Sequence, residues 1–311
     1  LPIKFSKGST MIYDLIIIGA GPAGITASVY AARKKMNFLV ISKDIGGQAA
    51  WSGDIENYTG YQFVTGPELA AKFEQHLRKY DFVLKEQEEV REVKKETDVI
   101  IVKSNKGTYQ AKTLIIASGK RSRELNVKGE KEFKNKGLTY CATCDGPLFS
   151  GKDVAIIGGG NSSLDAALQL IKIAKRIYII NISSGLAGDA VMLDKVLGNE
   201  KVKVFNNSSV TEILGDKFLS SIKIKTQEGQ EELLVSGVFV EIGLNPNSEF
   251  APSLERNELG EIKVNFHNET NIEGIFAAGD VTNVPEKQII IAAGEGSKAA
   301  LSAFGFLARK R

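Results

Sequence analysis

The chain alternates short apolar runs with glycine-marked turns and longer amphipathic stretches. The first apolar run, residues 14–18, breaks at Gly19-Ala20-Gly21-Pro22-Ala23-Gly24 and continues as a helix-period pattern through Lys35, after which residues 39–42 read as a second strand. Strand, glycine turn, helix and strand is the frame in which Gly-x-Gly-x-x-Gly carries meaning. The plan recurs: an apolar run at 154–157, the turn Gly158-Gly159-Gly160-Asn161-Ser162-Ser163, a helix over about 164–174, and a strand over 176–181. Two such units predict two nucleotide-binding modules, hence an α/β fold of two doubly wound, Rossmann-like, three-layer domains. Between them, residues 83–95, 99–104 and 113–119 read as strands of a small sheet decorating the first module. Residues 201–205, 220–226 and 237–243 are the analogous runs of the second. Turn residues follow at 245–248, then a strand within 271–280 that ends in small residues and an acid, and a helix over 287–307.

Composition narrows this picture. A length of 311 residues suits two domains at about 150 residues each. Lys+Arg 40 against Asp+Glu 37 gives +3, with the basic residues scattered, so nucleic acid is a poor partner. Glycine is abundant, 31 residues, while proline is scarce at 7, so the excess belongs to particular turns and not to low-complexity sequence. No run reaches the ~18 consecutive apolar residues of a membrane span, and the residues before Met11 carry no apolar core of a signal peptide. A soluble, cytoplasmic protein is expected, and residues 1–10 are set aside from the fold.

Two cysteines are present, Cys141 and Cys144. A secreted disulfide framework needs more of them at wider spacing, so this pair is expected to do chemistry in a reducing compartment. Cysteines two residues apart close a small ring that exchanges with dithiols. The competing zinc half-site would need four ligands, and only His76 and His267 remain, both in polar, surface-type stretches; no metal site is expected. Thiol exchange also needs a proton donor. Asp145, directly after the second cysteine, is the candidate general acid, with a turn cap as its plain alternative. In the first glycine turn, the glycines allow a tight bend, close approach of backbone to a pyrophosphate, and helix-on-strand packing. The acid usually found about 20 residues on is displaced: Ser42 and Lys43 end the second strand and Asp44 lies beyond, which leaves ribose recognition unassigned.

From Met11 onward the sequence resembles the low-molecular-weight thioredoxin reductases and the related flavoprotein of alkyl hydroperoxide reductase. The resemblance rests on eight ordered motifs: GAGPAG at 19–24, GGQ at 46–48, ENYTG at 56–60, ASG at 117–119, YCATCDGPLF at 140–149, IGGGNSS at 157–163, FAAGD at 276–280 and KQIIIAAGEG at 287–296. It implies a discontinuous FAD domain, residues 11–118 plus 245–311, and an inserted nicotinamide-type domain, 119–244, that carries the cysteine pair. Gly19, Gly21 and Gly24 would hold the pyrophosphate, with Pro22 and Ala23 in the same FAD-binding turn, and Gly47, Gln48 and Asn57 would lie along the ribitol and flavin. Asp280 would take a ribitol hydroxyl and Gln288 and Ile289 would lie against the ring, with Gly119, Gly279 and Lys287 completing the FAD set. Gly158, Gly160, Asn161, Ser162 and Asn181 would serve a nicotinamide nucleotide. By the same resemblance Cys144 faces the flavin as the charge-transfer thiolate, Cys141 attacks the partner's disulfide, Asp145 is the acid, the inserted domain rotates near Gly119 and Gly243, and the protein is a homodimer.

The sequence departs from that family after the second strand of the inserted module. NADPH-using members carry an HRRxxxR cluster there, because a 2′-phosphate needs guanidinium partners. Here the stretch is Asn181-Ile182-Ser183-Ser184-Gly185-Leu186-Ala187, with all three arginine positions empty and no acid for a free ribose. Asn181 and Ser183 bonding an unphosphorylated ribose would favour NADH over NADPH. Reduced ferredoxin feeding the flavin directly is the alternative donor, and NADPH held by other residues is the third. The expected acceptor is a separate thioredoxin or glutaredoxin-like protein, since only ten residues precede the first strand; a peroxiredoxin-directed system and a non-enzymatic flavin redox sensor are the other readings.

Overall fold

The computed structural model describes residues 11–310 apart from Gly53, with the side chains of Trp51, Asp54 and Cys144 outside that description. The chain forms two compact units and crosses between them at Arg121/Ser122 and at Asn245/Pro246.

The first unit is built on a seven-stranded sheet. Strand Ile12–Ala20 lies at its centre, paired in parallel with Phe38–Ile45 on one side and Thr108–Ile116 on the other. Leu15, Ile16 and Ile17 are fully buried, as a parallel strand covered on both faces requires. Their period-two alternation divides them. Leu15 and Ile17 pack with Phe38, Val40 and the alanine-rich face of helix Pro22–Arg33, whereas Ile16 and Ile18 pack with Val93, Ile100 and Val102 on the opposite face.

The runs expected as a separate decorating sheet are continuous with this one. Thr108–Ile116 has nine residues, enough for two jobs: its first half pairs antiparallel with Ile100–Ser104, and its second half lies between the central strand and Ile275–Ala277. Helix Ile289–Arg309 is long and apolar enough by composition to cross a membrane. One face of it packs against helix Pro22–Arg33, where a side chain on Gly296 would strike the Ala23 carbonyl.

The second unit has a five-stranded parallel sheet in the order Leu138–Thr139, Gly237–Val240, Asp153–Ile157, Arg176–Ile180, Val202–Phe205. Helices Asn161–Ile171 and Ala190–Leu197 cover one face. An antiparallel sheet of Ser209–Gly215, Leu219–Thr226 and Gly229–Leu234 covers the other, so this unit is three-layered. The helix after its glycine turn starts at Asn161, earlier than the apolar pattern suggests, because the extended backbone of Gly160 serves as its N-cap.

Candidate functional site

In a parallel doubly wound sheet the loops that matter leave the carboxyl ends of the strands, next to the point where strand order reverses. In the first unit that edge gathers Gly19 at the end of the central strand and Gly21 just after it, Gly47 and Gln48 after Phe38–Ile45, Gly119 after Thr108–Ile116, and Gly279 and Asp280 after Ile275–Ala277. Gly19 has φ +100°, and a Cβ there would strike the Ala117 carbonyl. A Cβ on Gly24 would strike the Gly19 carbonyl, so this glycine is the one that lets helix meet strand. Gly21 differs from both. It is the extended N-cap residue of helix Pro22–Arg33, and a Cβ there would meet nothing nearer than Gly47 Cα at 3.9 Å. The space over it is open, directly above the unpaired N–H groups of a helix N-terminus.

The other expected FAD residues meet around the same edge. Gln48 Nε2 donates to the Lys120 carbonyl at 2.8 Å, beside Gly119, and Asn57 Nδ2 donates to Gln288 Oε1 at 3.1 Å, directly before Ile289 opens the last helix. A Cβ on Gly279, φ +75°, would press on Ala23 Cβ at 3.0 Å. Asp280 is half-buried and makes no side-chain hydrogen bond among the described residues. Burial raises its carboxyl above the usual range, while the charges of Lys287 and Lys120 pull it down. Those two lysines are held by Glu261, at 2.8 Å from Lys120 and 3.0 Å from Lys287. Burial alone would raise Glu261, but hydrogen bonds from Lys120, Asn257 and Lys287 overcome it and hold the carboxyl at about 2. An open helix N-terminus for an anion and a half-buried carboxylate lacking a donor fit a pyrophosphate and a sugar hydroxyl, and so fit FAD.

The second unit repeats the construction. Gly158 has φ +137°, and Gly160 is an extended N-cap whose Cβ would meet only the Ala187 carbonyl at 3.9 Å. Asn161 and Ser162 open the helix, exposed. Asn161 Oδ1 accepts from the Asp189 N–H at 2.8 Å, which folds the loop back toward the glycine turn.

Asn181 requires correction as a ribose-reading residue. The residue is 3% exposed, the two Nδ2 hydrogens are shared among the Ser183 and Gly185 carbonyls and Asn206 Oδ1, and Oδ1 accepts from the Ser183 N–H. A methyl group on Gly159 would strike this amide. Asn181 is thus a buried latch for the loop, with its hydrogen-bonding capacity spent inside the fold. Ile182, Ser183 and Ala187, the three positions without arginine, are exposed.

The cysteine turn leaves the same sheet edge. Strand Leu138–Thr139 leads through Tyr140 to Cys141, and residues Ala142–Asp145 form one helical turn in which the Asp145 N–H donates to the Cys141 carbonyl at 3.2 Å. Cys141 is half-buried and is not a free thiol. The buried Thr139 hydroxyl donates to Asp145 Oδ2 and accepts from the Cys141 N–H at 3.1 Å, so a single oxygen ties the first cysteine to the acid. Sequence reasoning did not single out Thr139. It also passed over Glu241, which follows the last residue of strand Gly237–Val240, where an acid closing an all-apolar strand was the available signal. Burial, and then the charge of Asp165, push the Glu241 carboxyl up to about 7 against the lowering effect of a hydrogen bond from the Ala142 N–H. His76 and His267 are both exposed.

Two glycine turns, each opening a helix at a sheet edge, and a Cys-x-x-Cys turn in one chain agree with a match of residues 13–296 to the pyridine nucleotide-disulphide oxidoreductase model. The chain belongs to that family. Its members are flavoprotein oxidoreductases, and FAD is their cofactor. Thioredoxin reductase from Lactococcus lactis, in its FR conformation, is similar at 34% identity over 96% of this chain and 99% of that one, with a TM-score of 0.85. A protein named NADH dehydrogenase from Ferdinandcohnia aciditolerans is 40% identical over 300 residues, 96% of this chain and 58% of its own length. An alkyl hydroperoxide reductase subunit of Xanthomonas campestris pv. phaseoli is 41% identical over 96% of this chain and 57% of its own length. The chain thus spans under three-fifths of these two curated relatives. The fold is that of the two-domain, low-molecular-weight thioredoxin reductases.

Proposed function

We propose that the chain is an FAD-dependent disulfide reductase that acts on a thioredoxin or glutaredoxin-like protein, as a homodimer in the cytoplasm. The observation that carries this reading is the cysteine turn itself, in which Thr139 links the Cys141 backbone to the Asp145 carboxylate. Bound FAD would accept a pair of electrons from the donor and make them available to the disulfide. Gly21 and the helix after it would hold its pyrophosphate, and Asp280 a ribitol hydroxyl.

The remaining chemistry belongs to the chain. Once the Cys141–Cys144 bond is reduced, the Cys141 thiolate attacks a sulfur of the partner's disulfide, an S–S bond forms between the proteins, and the partner's leaving sulfur departs with the electron pair. Asp145, oriented by Thr139, takes up the proton that Cys141 gives up on becoming the thiolate and passes it to this sulfur. Cys144 then attacks Cys141 as a thiolate; the partner's second sulfur leaves with the electron pair and takes the proton that Cys144 gave up, which releases the partner as a dithiol and closes the ring. Similarity to proteins named as alkyl hydroperoxide reductase components supports a thioredoxin-like partner that serves a peroxiredoxin.

For the donor we propose NADH over NADPH. The exposed loop at 182–187 offers no cation to a 2′-phosphate. The same empty loop supports a second reading, in which reduced ferredoxin feeds the flavin directly. Anaerobic mixing of the FAD-loaded protein with NADH, NADPH or reduced ferredoxin, followed by flavin absorbance, separates these. Rapid bleaching by NADPH at low concentration would sink the NADH reading, and bleaching by ferredoxin alone would establish the second. Continuous reduction of an artificial disulfide through added thioredoxin tests the activity, because a sensor reduces once and stops.

A further inference from the structure

The cysteine turn lies along one helix of the second unit. Thr143, between the cysteines, donates through Oγ1 to Gln169 Oε1 at 2.8 Å on helix Asn161–Ile171, and a Cβ on Gly146 would rest 3.5 Å from Leu170 Cδ2 and Ile173 Cδ1. The chain thus runs from the cysteines toward the carboxyl end of that helix. Lys172 follows Gln169 by three residues, about 4.5 Å along the helix axis. Farther on, the Gly151 N–H donates to the Ile173 carbonyl at 2.8 Å, the Lys175 N–H donates to the Lys152 carbonyl at 2.9 Å, and Asp153 stands in register with Arg176 at the start of their paired strands. Lys152, Lys172, Lys175 and Arg176 therefore share one corner, beside the turn that carries the cysteines.

All four are exposed, and none of them forms an ion pair among the described residues. Elsewhere on the same unit surface lysines do pair, as Lys128 and Lys223 do with Glu212. The segments that build the corner, 146–153, 172–176 and 199–203, carry six cations and two carboxylates, Asp153 and Glu200. Some of the cations have work inside the fold. A helix carboxyl end favours a positive charge, and Lys201 Nζ supplies it by donating to the Ile171 carbonyl at 2.8 Å. Lys152 Nζ lies over the Phe149 ring at 5.6 Å, Lys203 Nζ lies over the Phe205 ring at 4.4 Å, and Arg176 bonds to Tyr178. Lys172 and Lys175 have no side-chain partner among the described residues. A corner of like charge that the chain does not neutralise fits a surface that brings the carboxylates with it.

We infer that this corner is a docking surface for an acidic protein: the thioredoxin-like partner presents carboxylates to Lys152, Lys172, Lys175 and Arg176 while its disulfide meets Cys141. Such docking rests on the redox reading of Cys141 and Cys144, and it adds the sign of the charge that the partner carries beside its own disulfide. The cations act before contact. They draw a negative surface toward the cysteine turn and turn away a positive one, so they set the rate of encounter and the choice of partner more than the strength of the final contact.

The test uses peptides closed by a Cys-x-x-Cys disulfide and flanked by glutamates, by serines or by lysines. FAD-loaded protein is reduced with dithiothreitol, freed of it without air, mixed with each peptide and quenched with an alkylating reagent, and the reduced peptide is read by mass. Each exchange moves two electrons and two protons from the thiols of Cys141 and Cys144 to the peptide, whose S–S bond opens as theirs closes. In about 10 mM salt the wild type should reduce the glutamate peptide about tenfold faster than the serine peptide, with the lysine peptide slowest. The three rates should draw together in about 100 mM salt, as the Debye length falls from about 30 Å to about 10 Å. Lys172→Ser with Lys175→Ser should cut the glutamate preference to about threefold or less. Lys217→Ser with Lys225→Ser, exposed lysines on the antiparallel sheet of the same unit, should keep it. The inference is overturned by a wild type that reduces the charged peptides alike at low salt, by a preference that survives Lys172→Ser with Lys175→Ser, or by one lost equally in the Lys217, Lys225 variant. Binding to anionic lipid vesicles that needs Lys172 and Lys175, with the peptides reduced alike, overturns it too. A wild type that reduces no peptide at any salt would instead overturn the redox reading together with the docking built on it.

Discussion

Gly21→Ala separates cofactor binding from folding. The backbone of Gly21 is extended, φ −79° and ψ −172°, a conformation alanine adopts freely, and the added Cβ would meet only Gly47 Cα at 3.9 Å. The protein without FAD should therefore lose nothing, and a narrower unfolded ensemble would even stabilise it by about 0.4–1 kcal/mol. The methyl group does enter the volume above the helix N-terminus where the pyrophosphate would sit. Crowding of that kind costs about 1–3 kcal/mol, a loss of order ten- to a hundredfold in the Kd for FAD. Gly24→Ala is the contrast, since its Cβ strikes the Gly19 carbonyl, a backbone atom that cannot yield, and the fold itself should lose about 2 kcal/mol or more. Thermal melting of the FAD-free proteins and fluorescence titration with FAD give the two readouts. The reasoning is refuted if Gly21→Ala binds FAD as the wild type does, or if it melts as early as Gly24→Ala.

Ile182→Arg with Ser183→Arg places guanidinium groups on the exposed loop, and NADPH should then bleach the flavin at concentrations at least about tenfold lower than in the wild type; no change would mean that the nucleotide does not lie along this loop. Thr139→Val keeps the shape but removes the oxygen between Asp145 and the Cys141 N–H, a loss of about 1.5–3 kcal/mol for a bond to a charged group, so turnover of a disulfide substrate should fall about ten- to a hundredfold while FAD binding is unchanged. Glu261→Gln leaves Lys120 and Lys287 without their shared anion and should cost about 3 kcal/mol in urea unfolding at neutral pH. Because the Glu261 carboxyl is held at about 2 in the folded protein, below its ordinary 4.5, its contribution is complete above about pH 4.5 and is lost as pH falls toward about 2. The deficit of the variant should accordingly shrink on acidification, and a deficit that grows instead would contradict the assignment.

What the chain disclosed unaided is what local backbone constraints govern. The bends at Gly19 and Gly158 need φ values of +100° and +137°, and the cysteine turn needs only residues adjacent in sequence. Pairings between distant residues were not legible. Residues 113–119 read as one strand of a side sheet because nothing in their composition tells that residues 114–116 lie beside Ile275–Ala277. Strand Gly229–Leu234 is mostly polar and exposed and gives no apolar signal. Asn181 looks like a surface polar residue at a nucleotide site until Gly159, Ser183, Gly185 and Asn206 are seen around it. Glu241 and Ala142 lie far apart in sequence, and only the parallel sheet brings the two strand ends to one edge.

The central claim is that electrons held by FAD reach the disulfide of Cys141 and Cys144. An anaerobic titration of the FAD-loaded protein with dithionite, run beside the Cys141→Ser, Cys144→Ser double variant, tests it directly. The wild type should take up two electron-equivalents more than the variant before excess reductant appears. Equal uptake by the two proteins would contradict the account.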